Sequence, residues 1–135
     1  MLSSVKHALT RRRRAATVVA TALLAAGAGL TFAPSASADV IRCPAGYGSD
    51  SQSLCAHVIK IDAGSTLTVR SGPGSGYSNV GSLPNGTLVE VECWTYGSAV
   101  HGYTIWTQLY SAGAARYVSD YYLDTGHVQN FLPQC

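Results

Sequence analysis

The sequence predicts an all-β fold, a small barrel or sandwich of five to six short strands, preceded by a leader that takes no part in it. Two observations carry that prediction. From Asp39 onward no stretch longer than about eight residues has helical period, and short β-branched and aromatic runs alternate there with Gly, Pro, Asn and Asp turns. At 135 residues the chain has room for one ordinary domain.

The leader accounts for the apparent charge. Lys6, Arg11, Arg12, Arg13 and Arg14 are five of the nine Lys and Arg. Residues 15–33 are charge-free and rich in Ala, Val and Leu, and Pro34-Ser35-Ala36-Ser37-Ala38 follows. A basic start, an apolar middle and a small-x-small end read as a secretory signal peptide, residues 1–38, cleaved after Ala38. A membrane anchor is the rival reading, but the apolar stretch is rich in Ala with two Gly and only weakly apolar. Ala15 and Ala16 stand where twin-arginine export would need bulky apolar residues, which favours general secretion. Removing the leader turns a formal charge of +2 into −3, four bases against seven acids. No basic stripe remains, so neither nucleic acid nor an anionic membrane is an expected partner.

Cys43, Cys55, Cys93 and Cys135 all follow the leader, and an even count in a small exported chain reads as a disulfide framework. Three connectivities are open. Cys43 with Cys55 and Cys93 with Cys135 is preferred, since the first closes a short Gly/Ser-rich loop and the second pins a tail that would otherwise fray. A zinc site would need closer Cys spacing, so no metal and no cofactor is expected. No cysteine follows the cleavage site to carry a lipid. Leu132-Pro133-Gln134-Cys135 lacks the Thr-Gly and apolar tail of a sortase signal, so a free protein is expected, as a monomer.

Element by element, residues 39–56 lack apolar periodicity and read as an irregular arm tied by the first disulfide. Residues 58–61 and 66–70 read as strands separated by the turn Asp62-Ala63-Gly64-Ser65. Ser71-Gly72-Pro73-Gly74-Ser75-Gly76 is a loop. Residues 80–83 form a strand closed by Pro84-Asn85-Gly86. Residues 87–93 alternate, with Val89, Val91 and Cys93 facing one way and Glu90 and Glu92 the other. A loop over 97–102 leads to a strand over 103–109. Residues 116–119 are the last strand, and Ser119 to Tyr122 is a tight turn. The domain thus spans 57–125 and a tail 126–135.

The run Thr68-Val69-Arg70-Ser71-Gly72-Pro73, then Gly81-Ser82-Leu83, Gly86-Thr87, Trp106 and Tyr117-Val118-Ser119-Asp120-Tyr121-Tyr122-Leu123, resembles the bacterial SH3-like domain over residues 58–125. Thr68 stands at that family's Asn, and Tyr117 at its Trp. The resemblance implies a small SH3-like β-barrel of five to six strands that helps exported proteins grip peptidoglycan peptides. It also implies that Trp106, Tyr117 and Tyr122 are core residues.

Catalysis finds no footing in these residues. Glu90 and Glu92 lie two apart on one strand rather than across a cleft, oxidised thiols offer no nucleophile, and no Gly-x-Ser-x-Gly elbow exists. Gly72-x-Gly74-x-Gly76 lacks the helix that a phosphate cradle needs. The Asn85-Gly86-Thr87 sequon matters only in a eukaryotic secretory route. His57, His101 and His127 read as surface or capping groups. What stands out is aromatic: eight Trp and Tyr fall within residues 94–122, more than so small a barrel can bury. The expected ligand groove is Tyr77, Tyr96, Tyr103 and Tyr121 with Asp120 as acceptor. The expected protein is a secreted, non-enzymatic module that binds cell-wall peptide; the alternative is a partner or inhibitor of another extracellular protein.

Overall fold

A computed structural model describes residues 39–135; the expected signal peptide lies outside the described residues. Seven strands make one curled antiparallel sheet, ordered β1-β2-β5-β6-β7-β3-β4. They are β1 (Ile41–Arg42), β2 (Leu54–His57), β3 (Thr66–Arg70), β4 (Asn79–Pro84), β5 (Leu88–Val100), β6 (Tyr103–Leu109) and β7 (Arg116–Ser119). The all-β class is as expected.

The arm is less irregular than its composition suggests, because it contributes β1 and most of β2. The Cys43–Cys55 disulfide closes its loop, and Ile41 pairs with Cys55 and Arg42 with Leu54. Cross-linking aligns two segments too short to declare themselves by periodicity. The expected strand over 58–61, in turn, is only a single bridge from Val58 to Leu123. Its extension is broken by Lys60, whose φ of 61° is left-handed. The short segment is still tied on both sides: Ile59 N–H donates to the Tyr122 carbonyl (2.9 Å) and Val58 N–H to the Thr87 carbonyl (2.9 Å).

The expected 97–102 loop is also mostly strand, since β5 runs to Val100. Only His101 and Gly102 turn the chain, both at positive φ (49° and 81°), as the two-residue turn that suits strand twist requires. Two register shifts bend β5, between Val91 and Cys93 and between Tyr96 and Val100. The first overturns the expected alternation. Val91 pairs with Leu109, but Cys93 pairs with Gln108 and Trp94 with Thr107, so the bulge sends Cys93 to the face away from the core and Trp94 toward it.

The core joins Leu67, Val69, Val91, Ile105, Leu109, Val118 and Leu123 from the barrel to Val40 of the arm and Val128 and Leu132 of the tail. Arm and tail are therefore packed parts of the domain. The tail turns through a 3₁₀ segment at Val128–Asn130 and is bonded through Cys93–Cys135. It lies along β5: Trp94 N–H donates to the Pro133 carbonyl (3.1 Å), Cys135 N–H to the Trp94 carbonyl (2.9 Å), and the Trp94 indole to the Leu132 carbonyl (3.1 Å). With sequence separations of 12 and 42 between partners, the chain-entropy model gives the disulfides about 3 and about 4 kcal/mol.

Candidate functional site

Residues directly opposite in an antiparallel pair share a face. Arg70 pairs with Tyr117, Tyr117 with Gln108 and Ser119 with Trp106. These side chains, with Thr66 and Thr68 of β3, define the sheet face turned away from the core. The Tyr117 hydroxyl donates to Gln108 Oε1 (2.8 Å), and Gln108 Nε2 donates to Glu92 Oε2 (3.2 Å). Tyr117, expected in the core, is half-buried on this outer face instead, where its hydroxyl keeps a partner.

Trp106 is buried (2% exposed), yet it too belongs to the outer face. The Gly-Pro-Gly loop after β3 lies on it. The indole donates to the Ser98 carbonyl (2.8 Å), and Ser75 N–H donates to Ser98 Oγ (2.8 Å), which fastens the loop to the second bulge of β5. Gly97 is required there: a Cβ would collide with the Pro73 carbonyl oxygen and stand 2.5 Å from Trp106 Cδ1. Gly72 and Gly74 make room for the Tyr77 ring, and Arg70 Nη1 holds the Tyr77 carbonyl at 2.9 Å.

Between this loop, β3 and the segment after β2 opens a cleft of about 330 Å³, lined by Lys60, Asp62, Thr66, Thr68, Arg70, Val100, Trp106 and Tyr122 among others. At its rim Lys60 Nζ lies 4.1 Å from the Tyr121 ring centroid and donates to the Tyr121 carbonyl (3.2 Å). His101 stacks on Tyr121 with centroids 4.8 Å apart, and its Nε2 shares a hydrogen bond with the Tyr122 hydroxyl (3.1 Å).

The aromatic groove expected from sequence is not assembled. Tyr77 (51% exposed) covers the Gly-Pro-Gly loop, whereas Tyr96 (62% exposed) stands edge-on to Trp94, centroids 5.3 Å apart, in the core-side row. Tyr103 is half-buried against the core. Tyr121 alone among the expected residues stands at the cleft's rim. Asp120 needs correction as a ligand acceptor. It is buried (3% exposed) at the start of the 3₁₀ turn Asp120–Tyr122, and its carboxylate accepts from Thr107 Oγ1 (2.8 Å), Thr125 Oγ1 (2.8 Å) and the Tyr103 hydroxyl (3.4 Å). Burial pushes its carboxyl above the ordinary range, opposed by the bonds from Thr125, Thr107 and Tyr103 and by the Lys60 charge. Burial also raises the Tyr103 hydroxyl, helped by the Asp120 charge and hydrogen bond. Asp120 ties the 3₁₀ turn to β6.

Glu90 is likewise engaged. Ser49 Oγ (2.6 Å), Ser53 Oγ (2.5 Å) and the Ser49 N–H (2.9 Å) donate to it. Partial burial works to raise this carboxyl, but the bonds from Ser49 and Ser53 outweigh it and hold it below its ordinary value. Glu90 thus latches the arm. Lys60, Arg70 and Thr68 line the cleft without being among the expected groove residues. Arg70 carried a signal, lying inside the Val69-Arg70-Ser71-Gly72-Pro73 run, while Lys60 carried none.

The family model of the bacterial SH3 domain matches residues 65–124, from the turn before β3 to just past the 3₁₀ turn. The protein resembles the uncharacterized protein YraJ of Bacillus subtilis (strain 168), with 33% identity over 89 residues that span 59% of this chain and 75% of YraJ. The chain belongs to the bacterial SH3 domain family. It is also similar to the uncharacterized protein YraI of the same organism, 28% identical over 88 residues, covering 58% of this chain and 74% of YraI. No solved structure matches. A bacterial SH3 domain is generally a binding module. In this SH3 domain the matched segment contains β3, Trp106 and most of the cleft, while the arm and the Cys135 tail lie outside it. The two disulfides, which leave no free thiol among the described residues, suit an oxidising compartment.

Proposed function

We propose that this SH3 domain is an exported, non-enzymatic module that binds short peptides of the cell wall in the cleft over β3, β6 and β7. The supporting observation is the cleft itself: about 330 Å³, within the range of small-ligand sites. Its walls are a sheet face, a fastened loop and a 3₁₀ turn, so little ordering is left to be done on binding. Val100 and Tyr122 supply apolar contact, with the buried Trp106 ring behind them, Thr66 and Thr68 supply hydroxyls, and Lys60 and Arg70 supply positive charge. Wall peptides are short, extended and rich in carboxylates, which suits that mixture. Co-sedimentation of the purified protein with insoluble peptidoglycan is the test; a protein left in the supernatant at moderate salt refutes the reading.

A second reading, a partner or inhibitor of another extracellular protein, draws support from an open depression of about 500 Å³ between Val80, Tyr110 and Ala112 to Ala115. Val80 and Tyr110 are exposed there. Capture from culture fluid separates the two readings, since wall peptide predicts wall fragments and this reading a single defined protein.

A further inference from the structure

The described residues contain four cationic side chains, Arg42, Lys60, Arg70 and Arg116, against seven acids. Two of the four cations, Lys60 and Arg70, line this cleft, and of the seven acids only Asp62 does. An acidic domain has gathered positive charge at the cleft. Neither cation is neutralised. Among the described residues the charged pair within 4 Å is His57 with Asp124 (3.1 Å), and Lys60 feels the buried Asp120 only from beyond ion-pair distance.

Both cations are nonetheless held. Lys60 donates to the Tyr121 carbonyl at 3.2 Å and lies over the Tyr121 ring, and Arg70 donates to the Tyr77 carbonyl at 2.9 Å. A carbonyl or a ring face positions a cationic head without cancelling its charge. A guanidinium has five N–H donors and an ammonium three, so each head keeps donors for a ligand. Lys60 also sits at φ 61°, a conformation costly for a side-chain-bearing residue, and that backbone places it on the rim.

Resting on the wall-peptide reading, we infer that the cleft selects its peptide by a carboxylate, received between Lys60 and Arg70 while the remainder of the peptide lies along Thr66, Thr68, Val100 and Tyr122. Two charge-assisted contacts are lost when the carboxylate becomes an amide, and each such contact exceeds a neutral hydrogen bond. Amidation of the ligand should therefore weaken binding about 10- to 100-fold.

The test titrates the purified protein with a synthetic tetrapeptide bearing free carboxylates, and with its fully amidated counterpart, by calorimetry at low and at high salt. Three variants accompany it: Lys60→Gln, Arg70→Gln and, away from the cleft, Arg116→Gln. Melting curves check folding, and Arg70→Met, which removes the charge but keeps the apolar stem, substitutes for Arg70→Gln if that variant is unfolded. Support is a free-acid preference of about tenfold or more that narrows with salt, shrinks in the Lys60 and Arg70 variants and persists in Arg116→Gln. Equal affinity for the two peptides, a preference indifferent to Lys60 and Arg70, or no binding of either peptide overturns the inference. Co-sedimentation with insoluble wall is run in parallel. Pelleting without a free-acid preference leaves the wall reading standing and removes the carboxylate site; a Lys60- and Arg70-dependent preference without pelleting does the reverse.

Discussion

Replacing Gly97 with alanine puts the packing of the loop on Trp106 to a direct test. The new methyl would collide with the Pro73 carbonyl oxygen and come within 2.8 Å of the Pro73 carbonyl carbon and 2.5 Å of Trp106 Cδ1. Neither neighbour is the free end of a flexible side chain: one is backbone, the other a buried ring. The Gly-Pro-Gly loop must therefore lift, straining the bond from Ser75 N–H to Ser98 Oγ. Overpacking of this kind costs about 1–3 kcal/mol, and two immobile neighbours place Gly97→Ala toward the upper end. For a domain of this size the midpoint should fall by about 10–20 °C. Scanning calorimetry with disulfides intact measures it, and the Trp106 indole N–H resonance, now bonded to the Ser98 carbonyl at 2.8 Å, should shift with it. Gly113, where an added Cβ meets nothing within 4 Å, is the control and should tolerate alanine within about 0.5 kcal/mol. A Gly97→Ala protein that melts within about 2 °C of the parent, with its indole resonance in place, would refute the packing described.

Two carboxylates predict opposite pH dependences. Asp120 has a raised folded value, so its stabilising share is full below its ordinary pKa of 3.8 and is lost as pH rises through the folded value. The urea-midpoint difference between parent and Asp120→Asn should therefore favour the parent more at low pH, and a pH-independent difference contradicts the assignment. Glu90 has a lowered value, so its share is present above its ordinary 4.5 and is lost as pH falls through the folded value. In Glu90→Gln the Ser49 amide should exchange with solvent faster than in the parent at neutral pH, and the two should converge on acidification. Unchanged Ser49 exchange in Glu90→Gln at neutral pH speaks against the latch.

The sequence was legible where local chemistry and tertiary structure agree. Thr66–Arg70, Tyr103–Leu109 and Arg116–Ser119 read as strands because β-branched and aromatic residues bounded by turn formers leave few other options. Both disulfides followed from loop length and tail position. Misreadings arose where a distant contact decides. Nothing near Lys60 announces a left-handed residue, so Val58 to Ile61 read as a strand. Nothing near Gly97 reveals that the Pro73 loop rests on it, so the glycine read as a loop breaker. The expected groove residues lie apart for a related reason. Aromatic residues were gathered by proximity in sequence, but the bulges of β5 and the 3₁₀ turn spread them over both faces, and the cleft formed around two cations and a buried indole.

The bulge between Val91 and Cys93 makes the second disulfide a check on strand register. If β5 ran beside β6 without the extra residue, Cys93 would share a face with Val91 and point into the core, out of reach of Cys135, and Trp94 would lose the Leu132 carbonyl that its indole now meets. Only the native alignment lets the two sulfurs meet. The Cys93–Cys135 bond and the bulged register of β5 therefore require each other, and a β5 shifted by one residue would leave both thiols unpaired.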